Sequence, residues 1–99
     1  MVRNLFAIPN GAHLAGSERQ RAIQARRLKD EGAVSGVADL FLSVPSSDYH
    51  GFYIEMKTQT GKQTENQKQF EQSVTAQGYK YAICRGVDEF MSLINEYLR

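Results

Sequence analysis

Glu55 and Lys57 stand two apart in Phe52-Tyr53-Ile54-Glu55-Met56-Lys57-Thr58, a run whose composition reads as a strand. Residues two apart on a strand leave the same face, so Glu55 and Lys57 share one side while Ile54 and Met56 take the other into the core. Charged residues on a strand that otherwise belongs inside are expensive unless partners or a metal compensate them. Asp39 opens the preceding strand, 39–44, and the short loop 45–51 favours an antiparallel hairpin that returns Asp39 beside Glu55. An Asp and a Glu converging at a sheet end make an all-oxygen site suited to a hard divalent cation such as Mg²⁺. The backbone carbonyl of Met56 offers a further oxygen. Lys57 beside them is placed to orient an attacking water or to neutralise charge on a phosphate. On its own this spacing is a weak signal, because strands commonly alternate charged and apolar residues on a solvent face.

The register of that hairpin decides whether the carboxylates meet. In an antiparallel pair without a bulge, opposed residue numbers share a constant sum, and opposed side chains leave the same face. A sum of 94 sets Asp39 against Glu55, whereas 95 would set it against Met56 and separate the carboxylates across the sheet. The chemistry requires an even register or a bulge near Glu55.

Several elements must hold these residues in place. Residues 2–8 read as a short strand stopped by Pro9-Asn10-Gly11. Ser17 fits an N-cap for a basic helix to Glu31, closed by Gly32, with Ala22, Ile23 and Leu28 as a narrow buried stripe. Thr64-Glu65-Asn66-Gln67 fits a capping box opening a helix that runs to Gly78, with Phe70 and Val74 facing inward. Residues 79–85 read as a fourth strand. A last amphipathic helix, 88–98, has Val87, Phe90, Met91, Ile94, Tyr97 and Leu98 at helical spacing. The order strand–helix–strand–strand–helix–strand–helix predicts an α/β domain with a mixed sheet.

Composition sets the outer bounds. Ninety-nine residues, 41% hydrophobic and 23% charged, predict one ordered domain over 1–99. No apolar run reaches the length of a membrane span, and no secretory signal pattern opens the chain. The lone Cys84 has no internal disulfide partner, so a reducing, cytoplasmic compartment is expected. A net charge of +1 neither demands nor forbids a nucleic-acid partner.

Longer segments carry a resemblance. Gly36-Val37-Ala38-Asp39-Leu40, Tyr53-Ile54-Glu55-Met56-Lys57, Thr64-Glu65-Asn66-Gln67, Gly78-Tyr79 and Ile83-Cys84-Arg85-Gly86 together resemble the VRR-NUC nucleases. These are a branch of the PD-(D/E)xK, restriction-endonuclease-like superfamily. Phe6-Ala7-Ile8-Pro9-Asn10-Gly11 and residues 25–32 resemble the small stand-alone phage members. The resemblance implies a restriction-endonuclease-like fold, with a central four-stranded mixed sheet flanked by helices. It implies a Mg²⁺- or Mn²⁺-dependent deoxyribonuclease with Asp39 and Glu55 as metal ligands and Lys57 as the catalytic lysine. The family's glutamine after the lysine motif falls on Gln67. Branched DNA such as four-way junctions, a homodimer and, for a phage-encoded protein, the host-cell cytoplasm are further implications.

Two departures stand beside it. Ala38 occupies the position where a proline usually precedes the aspartate. Many relatives carry a glutamate on a helix before the first strand, which this sequence does not offer, and Glu18 on the basic helix is no evident substitute. The alternative reading is therefore a catalytically impaired DNA-binding or assembly module with the same fold.

The remaining candidates read either way. Arg26 and Arg27 on the basic helix contact phosphates or form a solvated face. Arg85, ending a strand near the sheet edge, holds a phosphate or pairs with a carboxylate. His13 and His50 read as surface histidines, and Cys84 as a small buried thiol. Tyr49, Tyr53, Tyr79 and Tyr81 stack on bases or, as strand tyrosines usually do, pack.

Overall fold

Four strands form one mixed sheet in the computed structural model, which describes residues 2–8, 19–20, 23 and 36–99. A 3₁₀ turn, Val2–Asn4, leads into β1 (Leu5–Ala7), so the opening strand is shorter than its composition suggests. β2 (Leu40–Leu42) and β3 (Phe52–Met56) follow, then α1 (Glu65–Ala76), β4 (Lys80–Cys84) and α2 (Val87–Leu98). Spatial order equals chain order, β1-β2-β3-β4. The first two pairings are antiparallel and β3–β4 is parallel. A parallel neighbour requires a crossover, and α1 supplies it.

Both ends of α1 close as the sequence predicts. Thr64 caps α1 through a complete capping box with Gln67. Gly78, just past the Gln77 C-cap, takes φ +92°, a left-handed conformation that costs glycine little and ends the helix.

The helices cover opposite faces of the sheet. Ile94 and Tyr97 of α2 complete a core with Leu42, Phe52, Ile54 and Cys84, against which Phe90 and Leu93 pack. The Tyr97 hydroxyl donates to the Val44 carbonyl at 2.6 Å, and the Ser46 hydroxyl donates to the Tyr97 carbonyl, tying the end of α2 to the β2–β3 loop. Three residues of the periodic set face outward instead: Val87 is 76% exposed, Met91 52% and Leu98 37%. They lie within a narrow arc of the helix wheel next to Ile94, and the sheet reaches only the other side of that apolar sector.

The opposite face is aromatic. Register places Phe6, Phe41, Tyr53 and Tyr81 in one row across all four strands. Phe70 of α1 closes edge-on over Tyr53 at 5.0 Å, and Val74 is buried below it. The strand tyrosines thus pack.

Arg19, Gln20 and Ile23 have helical backbone, as the basic-helix reading requires at those positions, but Ile23 is 51% exposed rather than buried. Ala22, Leu28, Arg26, Arg27, Glu18 and His13 lie outside the described residues.

Candidate active site

The β2–β3 register pairs Leu40 with Ile54, Phe41 with Tyr53 and Leu42 with Phe52, an even sum of 94. Continued by one residue, it sets Asp39 against Glu55 on the aromatic face, as the chemistry demands. No bulge is needed.

Asp39 lies just before β2, and its Oδ2 accepts the Met56 N–H at 2.9 Å, continuing the ladder by a side chain where the backbone pairing stops. In an extended strand the N–H and C=O of one residue point to the same side. The Lys57 N–H bonds the Cys84 carbonyl on the β4 side, so Met56 between Glu55 and Lys57 presents both backbone groups toward Asp39. The Met56 carbonyl therefore points to the β2 side, where Asp39 lies, while its side chain is 36% exposed rather than in the core with Ile54.

Two contacts hold Asp39 and Glu55 within reach of α1. Gly36 takes φ +86°, and a Cβ there would meet Gln67 N at 2.8 Å and the Asn66 carbonyl closer still. Only glycine lets the segment entering β2 lie against the first turn of α1. The sequence motif contained this glycine, but a close approach to a helix 30 residues on leaves no local signal.

Gln67 joins the helix start to the site. Its Oε1 accepts the Thr64 N–H at 2.8 Å, its own N–H bonds Thr64 Oγ1 at 3.2 Å, and its Nε2 donates to Glu55 Oε2 at 3.2 Å. The bond that caps the Thr64 N–H and the bond to Glu55 come from the same side chain in one rotamer.

Glu55 is only 3% exposed. Its Oε2 takes Gln67, and Lys57 Nζ lies 3.9 Å from the same oxygen. Its Oε1 is buried and has no hydrogen-bond partner among the described residues. Burial pushes the Glu55 carboxyl up to about 7, and the charge and hydrogen-bonding contact of Asp39 push it the same way, against the pull of Lys57. A carboxylate raised by burial and by a second carboxylate lacks positive charge, and one orphaned oxygen is free to meet it.

The residues fit a divalent cation. Among the described residues no three His, Cys, Asp or Glu side chains gather as a closed metal cluster. Mg²⁺ does not need one: it keeps several waters and is commonly held by one or two carboxylates. Asp39, Glu55 Oε1 and the Met56 carbonyl form an all-oxygen set of that type.

The other candidates fall elsewhere. Arg85 Nη1 donates to the carbonyls of Thr58 and Gly61, both at 2.7 Å, and among the described residues pairs with no carboxylate. His50 is exposed at the far end of β3, with its N–H on the Gly78 carbonyl. Cys84 is a buried free thiol donating to the Gly86 carbonyl at 3.2 Å. Tyr81, part of the aromatic row, accepts a bond from Gln63 at 3.2 Å, and the same Gln63 amide reaches Glu71 at 2.8 Å. This small network beneath α1 was not visible in the sequence, where Gln63 and Glu71 carry no motif.

Comparison with known proteins bears on the fold and the family. A solved structure described as "VRR_NUC domain protein" superposes with a TM-score of 0.78 at 24% sequence identity, over 96% of this chain and 67% of that one. At that identity the likeness speaks for the fold, the four-stranded mixed sheet with its helices. Curated proteins yield no match. The family model of the VRR-NUC domain matches residues 3–88, most of the sequence and all of β1 to β4, and the chain belongs to the VRR-NUC family of nuclease domains.

Proposed function

We propose that the protein is a divalent-metal-dependent endonuclease that hydrolyses DNA phosphodiester bonds. One observation carries the reading. Asp39 and Glu55 face each other at a sum of 94, one Glu55 oxygen is buried without a partner among the described residues, and Lys57 Nζ lies 3.9 Å from the other.

Asp39, Glu55 and the Met56 carbonyl would hold Mg²⁺ or Mn²⁺, which supplies a Lewis acid that activates water and offsets phosphate charge. Gln67 acts as a positioning residue: by occupying Glu55 Oε2 it turns Oε1 toward the cation. Lys57 follows β3 on the same face, where its ammonium holds the attacking water or the charge growing on the phosphate oxygens. Hydrolysis adds the water oxygen to phosphorus and breaks one P–O bond, and the departing oxygen takes up a proton. Branched DNA and a two-fold dimer belong to the same reading. A four-way junction presents two equivalent strands, and a two-fold dimer presents two equivalent sites.

The test is a cleavage assay with Mg²⁺ or Mn²⁺ on linear, nicked, flap and four-way-junction DNA. Cleavage that a chelator abolishes is expected, strongest on the junction. DNA binding without cleavage under either cation would instead favour the catalytically impaired binding module.

A further inference from the structure

We infer that Arg85 is a positioning residue of the proposed nuclease site, holding the turn that carries Lys57 and leads to Gln67. The inference rests on the catalytic reading of Lys57.

Lys57 is the first residue beyond β3, and its N–H makes the last parallel-ladder bond, to the Cys84 carbonyl at 2.8 Å. Past that point the chain must reverse within a few residues to start α1. The turn is tight: the Gly61 N–H bonds Thr58 Oγ1 at 3.0 Å and the Thr58 carbonyl at 3.3 Å. Its carbonyls converge on one cation. Arg85 Nη1 donates to Thr58 and Gly61 at 2.7 Å each and reaches the Gln59 carbonyl at 3.4 Å. Gln59 reciprocates, its Nε2 donating to the Arg85 carbonyl at 2.8 Å. Arg85 itself directly follows Cys84, so the cross-link springs from the strand paired with β3.

Without the guanidinium, the middle of the turn keeps only the Gly61 N–H bonds to Thr58 and the Gln59 bond to the Arg85 backbone carbonyl. Lys57 is tied upstream by Cys84, and Gln67 downstream by the Thr64 box and Glu55. Arg85 closes the span between them. A planar guanidinium suits this task, because one nitrogen carries two hydrogens in a fixed fork that meets two carbonyls together, whereas a lysine ammonium is a point donor on a flexible stem. Bonds from a charged donor are also short and strong, as the two 2.7 Å contacts are.

Three roles for Arg85 make different predictions. A phosphate contact acts on binding and its salt dependence. A purely structural contact acts on stability alone. A positioning contact acts on turnover with binding spared, since a small misplacement of a reacting group costs up to about 10²-fold.

The experiment compares the full-length wild type with Arg85→Ala and Arg85→Lys on four-way-junction DNA with Mg²⁺, alongside amide hydrogen exchange. For Arg85→Ala we expect kcat to fall about 10- to 100-fold with KM within about two-fold. Exchange at Gly61 should accelerate, and the slope of log affinity against log salt should stay unchanged. Low millimolar guanidinium should restore part of the rate in Arg85→Ala only. Arg85→Lys should lie between the two and serves as the readout if the alanine variant fails to fold.

Wild-type kcat in both variants would overturn the inference. A salt slope flattened by about 0.9 with kcat retained would assign the guanidinium to a phosphate instead. Exchange at Gly61 separates the two levels: unaltered exchange defeats the cross-link itself, while an inert wild type with accelerated exchange in the variant defeats only the nuclease reading.

Discussion

The two faces of the sheet are built from different chemistry. Toward α2 lie Leu42, Phe52, Ile54 and Cys84, fully buried and apolar, with Ile94 and Tyr97 above them. Toward α1 lie an aromatic row and, one same-face row further along, the carboxylates of Asp39 and Glu55. The first face gains stability from every residue. The second surrenders some: a glutamate with an orphaned oxygen is held 3% exposed beside another carboxylate. A domain of this size can carry such a cost only because the opposite face has none. Stability and chemistry are thus segregated across one sheet, about one strand thickness apart.

Paired substitutions at the start of β3 and just beyond its end break that comparison most sharply. Lys57→Ala should lower cleavage by about 10²-fold or more while moving Tm by no more than roughly 4 °C, because the side chain, 16% exposed, lies at the edge of the site rather than in the apolar core. Phe52→Ala should do the reverse in kind, costing about 3–5 kcal/mol through the cavity it opens under α2. Plasmid cleavage and thermal melts on both variants suffice. A folded Lys57→Ala enzyme with wild-type turnover would remove lysine from the chemistry.

Gly36→Ala sharpens the account of how the faces are joined. Its φ of +86° and the close approach of Gln67 N mean that a methyl group must push β2 away from α1. A loss of about 2 kcal/mol or more is expected on denaturant titration, together with weaker metal binding because Asp39 moves with Gly36. Equal stability would show that the two segments are not in contact.

The smallest effect concerns protons. Glu55 titrates near 7 when folded against 4.5 when exposed, so the folded state binds the extra proton between those values. Metal-free protein should therefore lose stability as pH rises from about 4.5 to 7, and the loss should persist above 7. Asp39→Asn, which removes the neighbouring charge, should reduce that loss and raise Tm at pH 8 by a few degrees, roughly 2–5 °C, with chelator present. Divalent cation should reverse the trend in the wild type. A pH-independent Tm in chelator would contradict a buried, raised Glu55.

Much of this was legible in the residues. Alternation in 52–58 assigned the faces of β3, and the chemistry asked for an even register or a bulge, of which the even register is found between β2 and β3. The capping box at Thr64 and the Gly78 terminus were local patterns with local causes. What escaped notice depends on distant partners. Helical spacing groups Val87, Met91 and Leu98 with Ile94, yet it does not say how wide a sector of α2 the sheet covers. Ile23 is exposed for want of the same information. Arg85 read as a phosphate or carboxylate partner because charge suggests charge, whereas the structure gives it carbonyls from a turn 24 to 27 residues back. Gln67 carried two readings: the capping box is present, and the same amide that reaches Thr64 with oxygen reaches Glu55 with nitrogen.

The most direct test of the central claim, that Asp39 and Glu55 share one divalent cation, is calorimetric titration of Mn²⁺ into the full chain and three variants. The account predicts one Mn²⁺ per chain, affinity lowered at least ~10-fold in both Asp39→Asn and Glu55→Gln, and affinity little changed in Lys57→Ala. Wild-type affinity in Glu55→Gln would place the cation elsewhere and contradict the account.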